Sequence, residues 1–230
     1  LSTAQHISTD INYLDNVTRD QFNRALANRG NAGPAEQDVY SSYLFEGFLR
    51  RMENQPKKIM FQFSFAAEPL PFESGSRIRQ DTLRSLANII ARHPRQNFQC
   101  FLASMHANQT LATFCRELPN LSLAGYWWHN FFPSYIPRVM GERLDMVSTN
   151  KLVGFFSDAY TAEWAYAKAV MVRKCLARVL AEKITTGQYD MKLALDVARR
   201  MLWETPQTLL GMVPKPEPAK GKARAKARRK

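Results

Sequence analysis

Apolar and polar residues follow one another along the chain in two alternating patterns. Between residues 40 and 52 the apolar side chains recur every three or four positions, which predicts an amphipathic helix. Residues 59–66 instead form a short, mostly apolar run closed by Pro69 and Pro71, which is typical of a strand buried on both faces. A second helical pattern runs from residue 77 to the residue before Pro94. This part of the chain is therefore a strand, loop and helix unit.

The same unit recurs further along the chain. Strands are predicted at residues 97–105, 120–128 and 151–157. Helices are predicted at residues 108–118 and 138–146, then over a long stretch from 161 to about 184, and again from residue 190. Each predicted strand is thus followed by a helix, and this order determines the fold class.

The last two helices can be predicted in more detail. We expect the long helix to begin at Thr161 and to be closed by Gly187, a residue type common just after helix ends. The last helix should begin with Asp190 as its N-cap and end before Pro206. The side chains expected in the core are Trp164, Met171, Cys175 and Val179 from the long helix, and Leu193, Val197 and Met201 from the last one.

Strands that alternate with helices predict an α/β fold in which the strands pair in parallel through right-handed crossovers. Both an open doubly wound sheet and a (β/α)8 barrel satisfy this pattern, although only about four strands are visible. In either architecture a ligand binds at the carboxyl ends of the strands. The candidate ligand-binding residues are therefore those that directly follow each strand.

Composition narrows the class of protein. With 45% hydrophobic residues among 230, the chain can bury a full core, and it has no apolar run of the roughly 20 residues that span a membrane. The first residues do not resemble a signal peptide, so we expect a soluble, cytoplasmic protein without membrane contact. Cys100, Cys115 and Cys175 form no C-x-x-C pair and are expected to be buried thiols. Because the chain opens at Leu1 without a cap or strand, we expect it to continue from an upstream segment.

The net charge of +12 is concentrated in the C-terminal tail. Residues 215–230 contain eight Lys or Arg and one Glu, and the tail has no large apolar residue to bury. Two interpretations remain: a solubilising extension, and a polycation that binds nucleic acid without sequence preference. The first is favoured because no aromatic residue is interleaved to stack on bases. Nucleic acid is therefore not an expected partner.

Candidate chemistry lies at the strand ends. Glycine-rich phosphate loops and the H-E-x-x-H and G-x-S-x-G motifs do not occur in the sequence. His93 precedes Pro94 at a predicted helix end, where a solvated partner of the helix dipole is expected. His106 and His129 follow strands and are better candidates for a site.

Asp158 directly follows a buried strand and precedes a helix. It could cap that helix, or it could act as a catalytic carboxylate or metal ligand at the mouth of a barrel, and the sequence leaves both readings open. Trp127 and Trp128 should point to opposite faces of their strand, so both could be core residues, or one could offer a stacking surface to a sugar. In the latter case His129 and Asn130 would supply hydrogen bonds to hydroxyl groups.

Three segments carry a family resemblance. The run LVGFFSDAYTAEW (residues 152–164), with the Arg-rich helix after it, resembles the V-G-M-L-T-D-S-R-S run on strand eight of uronate isomerases, in the amidohydrolase superfamily. AGYWWHN (124–130) resembles their G-x-W-W-F-N-D segment, and FQFSFAA (61–67) resembles their Q-L-H-I-G-A segment. The resemblance covers residues 40–202 and implies the C-terminal half of a metal-dependent, amidohydrolase-type (β/α)8 TIM barrel.

The resemblance implies three structural regions and a function. Residues 1–39 would continue from an upstream half-barrel, 40–210 would form the C-terminal half, and 211–230 would be a disordered basic tail. The implied activity is an isomerase of carbohydrate metabolism that converts glucuronate to fructuronate, or a similar aldose uronate to its ketose. A sugar acid would be its ligand, a divalent metal, with zinc expected, its cofactor, and a homo-oligomer its assembly.

The resemblance also assigns roles to individual residues. Asp158 matches the strand-eight aspartate, which is catalytic or a metal ligand. The predicted substrate-binding residues are Trp127, Trp128, His129, Asn130, Tyr160 and Ser64. Three positions depart from the family pattern: Ser64 replaces a histidine, Phe131 an aspartate, and Tyr160 an arginine whose bidentate grip on a carboxylate a phenol cannot reproduce. The alternative is therefore a catalytically degenerate relative that binds a sugar-like ligand or a partner.

Overall fold

The computed structural model describes residues 13–14, 16–56, 59–65, 80–102, 105–126 and 132–212. Within them four strands form one sheet in the order β1-β2-β3-β4, and every pair is parallel. The predicted α/β fold with a parallel sheet is confirmed. The strands are β1 (Phe61–Phe65), β2 (Phe98–Leu102), β3 (Leu121–Ala124) and β4 (Leu152–Val153).

Helices precede the sheet and connect its strands. The bounds are α1 (Arg19–Ala27), α2 (Pro34–Glu53), α3 (Gln80–Arg92), α4 (Asn108–Glu117), α5 (Ile136–Met146), α6 (Ala162–Thr185), α7 (Met191–Arg199) and α8 (Thr205–Leu209). Asp190 caps α7 as predicted, because its carboxylate accepts the N–H of Leu193 at 2.7 Å. Gly187 follows the end of α6 with a φ of +74°, also as predicted. No helix in the described part of the chain is long and apolar enough to span a bilayer.

The two faces of the sheet differ in chemistry. One face packs against the helices and carries the buried apolar side chains Phe63, Phe98, Cys100, Leu121 and Leu123. The opposite face carries a row of hydrogen-bonded polar side chains. Gln62 donates to the Oε1 of Gln99 at 2.8 Å, Gln99 donates to the Oγ of Ser122 at 3.5 Å, and Ser122 donates to a carbonyl of β2. Because these residues share one register level, the row crosses three strands.

The three cysteines are free, buried thiols, as predicted. Burial raises the pKa of the Cys115 thiol to about 12 and also raises the pKa values of Cys100 and Cys175. Cys115 donates to the carbonyl of Leu121 at 3.3 Å, so it acts as a core residue.

Several sequence-based expectations are wrong in detail. Trp164 and Leu193 are 47% and 44% exposed and do not enter the core, whereas Met201 is fully buried. β4 has two residues instead of the expected seven. The helical chain also continues past Pro206, which lies in the first turn of α8, because the carbonyl of Met201, five residues earlier, accepts a hydrogen bond from Gly154 instead.

A five-residue π-helical segment, Arg200–Glu204, joins α7 to α8. The N–H of Thr205 donates to the carbonyl of Arg200 instead of that of Met201, as in an i→i−5 pattern. The carbonyl of Met201 instead accepts the N–H of Gly154 at 2.9 Å. A β-carbon on Gly154 would lie 3.1 Å from the Cβ of Met201, so a larger residue would have to displace the Met201 side chain by a few tenths of an ångström. The π-helical segment thereby fastens the C-terminal helices to the end of β4.

A polar cluster lies near the amino ends of β1 and β2. His93 is 2% exposed and lies between two carboxylates, with Nε2 3.2 Å from Glu46 and Nδ1 3.4 Å from Glu53. Glu53 also accepts the backbone N–H of Arg95 at 2.9 Å. The expectation of a solvated His93 is therefore wrong, since the helix end is buried against α2.

Neighbouring groups control the protonation of this cluster. Burial raises the pKa of Glu46, but hydrogen bonds from Tyr13, Arg50 and His93 outweigh burial and lower the pKa to about 2. The pKa of Glu53 is also lowered, since hydrogen bonds from Arg95 and His93 outweigh its burial. Both carboxylates are therefore more stable in the ionised form in the folded chain than in the unfolded chain.

The lowered pKa of Glu46 predicts a pH-dependent stability. Because this pKa falls from 4.5 to about 2 on folding, its stabilising contribution is present above pH 4.5 and is lost as the pH falls towards 2. Glu46→Gln should therefore destabilise the protein at pH 7 and make little difference near pH 2, as measured by urea unfolding across this range. Glu117→Gln removes an exposed carboxylate paired with Arg116 and is the control. An equal deficit at both pH values would contradict the role of Glu46.

Candidate functional site at the carboxyl ends of the strands

The candidate site lies where the parallel strands end, because equal registers bring their carboxyl ends to the same edge of the sheet. Ser64 and the segment that follows β4 are described there. Four predicted site residues, Trp127, Trp128, His129 and Asn130, lie outside the described residues, as does Phe131. Their substrate-binding roles remain predictions.

Ser64 lies in β1, one residue before the strand ends, and pairs in register with Phe101 of β2. Strand alternation places it on the same face as Gln62, which is the face with the polar row. Its side chain is partly buried. A hydroxyl at this position can donate and accept a hydrogen bond, but it cannot relay a proton near neutral pH as an imidazole can.

Asp158 follows β4 by five residues and is exposed, with a φ of +43°. Few residues other than glycine adopt this left-handed conformation, and Asp and Asn are among them. Asp158 does not cap the following helix. Thr161 is the N-cap of α6, and its hydroxyl accepts the N–H of Trp164 at 3.3 Å. The expectation that Asp158 is the N-cap of α6 is therefore wrong, because Thr161 takes that position.

The segment between β4 and α6 is held closely against the neighbouring strand ends. The ring of Phe156 lies 4.2 Å from the ring of Phe101, centroid to centroid. Gly125, directly after β3, has a φ of +47°, and a β-carbon there would lie 2.8 Å from the backbone nitrogen of Phe156. Since a β-carbon cannot approach so closely, Gly125 allows this crossing. Phe156, two residues before Asp158, is thus packed against Phe101 of β2 and Gly125 after β3.

Lys168 of α6 binds the backbone of the same segment. It is 8% exposed, and its Nζ donates to the carbonyl of Ser157 at 2.8 Å and to that of Asp158 at 3.0 Å. The Nζ also lies 5.4 Å from the centroid of the Trp164 ring. Sequence reasoning missed Lys168, although a lysine within the apolar positions of a long helix is a detectable signal.

A buried arginine supports the end of β3. Arg143 of α5 is 1% exposed and donates to the carbonyl of Gly125 at 2.7 Å and to Asn108 at 2.8 Å. Asn108 in turn donates to Glu142. Burial lowers the pKa of Arg143, against the opposing effect of Tyr126, whose ring centroid lies 5.3 Å from its guanidinium carbon. This cation joins the beginning of α4 to the end of β3 through Asn108 and Gly125.

The remaining predicted residues lie at the surface. Tyr160 is 89% exposed, and its ring centroid lies 5.9 Å from that of Trp164. His106 is exposed after β2. Neither is brought against Ser64 by a contact that the structure describes. Tyr160 is placed near Asp158 in the chain, but its side chain extends into solvent.

The described side chains do not by themselves fit a divalent metal. Zinc takes three or four nitrogen, sulfur or oxygen ligands, and among the described residues no group of three His, Cys, Asp or Glu is placed to supply them. Ser64 also stands where the resemblance implies a histidine. Asp158 offers one carboxylate, and His129 lies outside the described part of the chain. No chemical step is therefore assigned to a metal.

The fold is shared with solved uronate isomerases. It is similar to the uronate isomerase of Thermotoga maritima, with a TM-score of 0.71 and 17% identity, covering 84% of this chain and 46% of that one. It is similar to the glucuronate isomerase of Caulobacter crescentus, with a TM-score of 0.74 and 14% identity, covering 90% and 46%. A uronate isomerase of Bacillus halodurans gives a TM-score of 0.58 at 19% identity, covering 71% and 40%.

Sequence similarity points in the same direction. The chain is 24% identical to a uronate isomerase of Thermotoga sp. (strain RQ2) over 100 residues, which is 44% of this chain and 22% of that protein. No family model matches. The resemblance to uronate isomerases is therefore confirmed as a partial and divergent one, and the chain spans less than half the length of the relatives that it matches.

The close approach at Gly125 predicts a large effect of a single methyl group. Gly125→Ala should lower the free energy of unfolding by at least about 2 kcal/mol, because strain from the positive φ adds to a clash with Phe156. Gly187→Ala is the matched control, since Gly187 has a φ of +74° and open space around it, and should cost only about 1 kcal/mol. Urea unfolding of both variants measures the difference. Equal losses would show that Phe156 is not held against Gly125.

Proposed function

We propose that this chain forms the C-terminal half of an amidohydrolase-type (β/α)8 barrel and contributes to a uronate isomerase-like enzyme. Four parallel strands in sequential order, each followed by a helix, are half of such a barrel. The chain covers 46% of each of two uronate isomerase structures, which also supports the proposal that it is half of a barrel. Residues 1–39 would then connect to the other half, and residues 211–230 would be a separate basic tail.

The proposed reaction is the isomerisation of an aldose hexuronate, such as glucuronate, to the corresponding ketose. A base removes the proton from C2 while O1 gains a proton, which gives the enediol. The proton is then returned to C1 while the hydroxyl on C2 loses its proton and becomes the ketone, so that no atom is gained or lost. Asp158 is the residue proposed to transfer this proton. The single observation that carries the proposal is that Asp158 is held beyond the carboxyl end of β4 in a left-handed conformation, ahead of the N-cap Thr161.

Substrate would bind against the residues that follow β3. Trp127 or Trp128 would stack on the apolar face of the sugar, and His129 and Asn130 would bind its hydroxyl groups. Ser64 and Tyr160 would complete the rim. A sugar acid also needs a cation for its carboxylate, and the tyrosine at position 160 cannot take the role of a guanidinium.

A divalent metal would support this chemistry by polarising a substrate oxygen. Asp158 is the residue of this chain proposed to contact it, and zinc is the expected ion. The described residues provide only this carboxylate, so further ligands would have to come from outside them. A homo-oligomeric assembly and a cytoplasmic location remain part of the proposal.

A second candidate is a catalytically degenerate relative that binds a sugar-like ligand or a partner. This alternative is favoured by Ser64 in place of an imidazole and by the 89% exposure of Tyr160. Binding without turnover would be its signature. The two candidates therefore differ in a single measurement, which is the turnover of glucuronate.

The proposed role of Asp158 predicts a defined loss of activity. Asp158→Asn should lower the rate of glucuronate isomerisation by the order of 10²- to 10⁴-fold, because it removes the acid/base group. The backbone should be unaffected, since asparagine also adopts positive φ. Turnover and metal content should be measured on the full-length protein. Asp196→Asn, in an exposed ion-pair network on α7, is the control and should remain fully active.

The outcomes separate the candidates. Turnover that survives Asp158→Asn would refute the role of the carboxylate. Glucuronate binding by the unmodified protein with no measurable turnover would favour the degenerate relative instead.

A further inference from the structure

Asp158 owes its orientation to a residue ten positions further along the chain. We propose that Lys168 is a positioning residue that holds Asp158 in its left-handed conformation and so directs the carboxylate at the rim of the strands. The catalytic consequence rests on the function proposed above, whereas the conformational part stands independently of it.

Lys168 binds two carbonyl groups, one on each side of the Asp158 α-carbon. The carbonyl of Ser157 belongs to the peptide before the Asp158 α-carbon, and the carbonyl of Asp158 belongs to the peptide after it. The relative orientation of these two peptides is set by φ and ψ of Asp158. Because both oxygens lie within 3.0 Å of one Nζ, the two hydrogen bonds together favour one backbone conformation at Asp158.

This conformation is the one that needs support. A φ of +43° costs free energy for a residue with a β-carbon, although aspartate tolerates it better than most, and the two hydrogen bonds from Lys168 support it. The direction of the Asp158 Cα–Cβ bond follows from the same dihedral angle. An ammonium group that fixes the two carbonyls therefore also fixes the direction in which the carboxylate leaves the backbone.

The cost of burying Lys168 supports a specific role. A buried ammonium group must recover its lost hydration through hydrogen bonds, and here it does so on two backbone carbonyls. Trp164 lies one helical turn before Lys168, and its ring centroid lies 5.4 Å from the Nζ. Tyr160 precedes α6, with its ring centroid 5.9 Å from that of Trp164. Trp164 thus lies at the surface beside the ammonium group instead of in the core.

The chain contains a matched control for this interaction. Lys151 likewise donates from its Nζ to two backbone carbonyls, those of Cys115 at 2.6 Å and Leu118 at 2.8 Å, at the C-terminal end of α4. It makes the same type of bond away from Asp158. Lys151→Met and Lys168→Met therefore remove equivalent interactions, and only the second should affect the site.

The conformational arm uses limited proteolysis of the full-length protein, read by mass spectrometry. Lys168→Met should increase chymotrypsin cleavage after Phe156 by the order of tenfold, and Lys168→Arg, which keeps the charge and the donors, should restore most of the protection. Lys151→Met should leave this cleavage unchanged. No change in Lys168→Met, or an equal increase at sites throughout the chain, would overturn the proposal.

The catalytic arm compares glucuronate turnover in single and double variants. If Lys168 acts through Asp158, Lys168→Met should lower kcat by at least about tenfold with little change in KM, and Lys168→Met/Asp158→Asn should be no slower than Asp158→Asn alone. Additive losses would overturn the positioning role. If the unmodified protein has no turnover, the proposed function fails while the proteolysis arm still decides whether Lys168 holds the segment.

Discussion

Parallel pairing of β1 to β4 is the constraint on which the rest of the structure depends. It brings Ser64, Gly125 and the segment after Val153 to one edge of the sheet, although they are far apart in sequence. It also separates the apolar helix-facing side of the sheet from the side with the Gln62 and Gln99 side chains. A site built from different strand ends is possible only because these registers agree.

Buried polar groups supply the second level of organisation. They bind backbone carbonyls at the ends of strands and helices: Asn120 donates to the carbonyls of Ile90, His93 and Gln96, and Arg143 donates to that of Gly125. These bonds join the start of β3 to the end of α3, and α5 to the end of β3. Side chains within the protein thus help to fix the strand ends.

Much of this fold could be predicted from the sequence, because helix and strand periods and the Asp190 cap are local signals. The details that failed depend on distant partners. His93 is buried between two carboxylates of α2, and Trp164 lies at the surface beside the Nζ of Lys168. Thr161 and not Asp158 is the N-cap of α6, after a segment that packs against Gly125. The periodic pattern of apolar residues does not predict these contacts between different elements.

The bond between Gly154 and Met201 limits how the sheet can grow. Val153 points its carbonyl to β3, so the N–H of Gly154 points to the outer border of β4, where the C-terminal helices already accept it. A neighbouring strand could therefore pair with β4 only before Gly154, at Leu152. In a complete barrel the π-helical segment would bind the outer border of β4, so that the last helices would help to close the barrel as well as cover it.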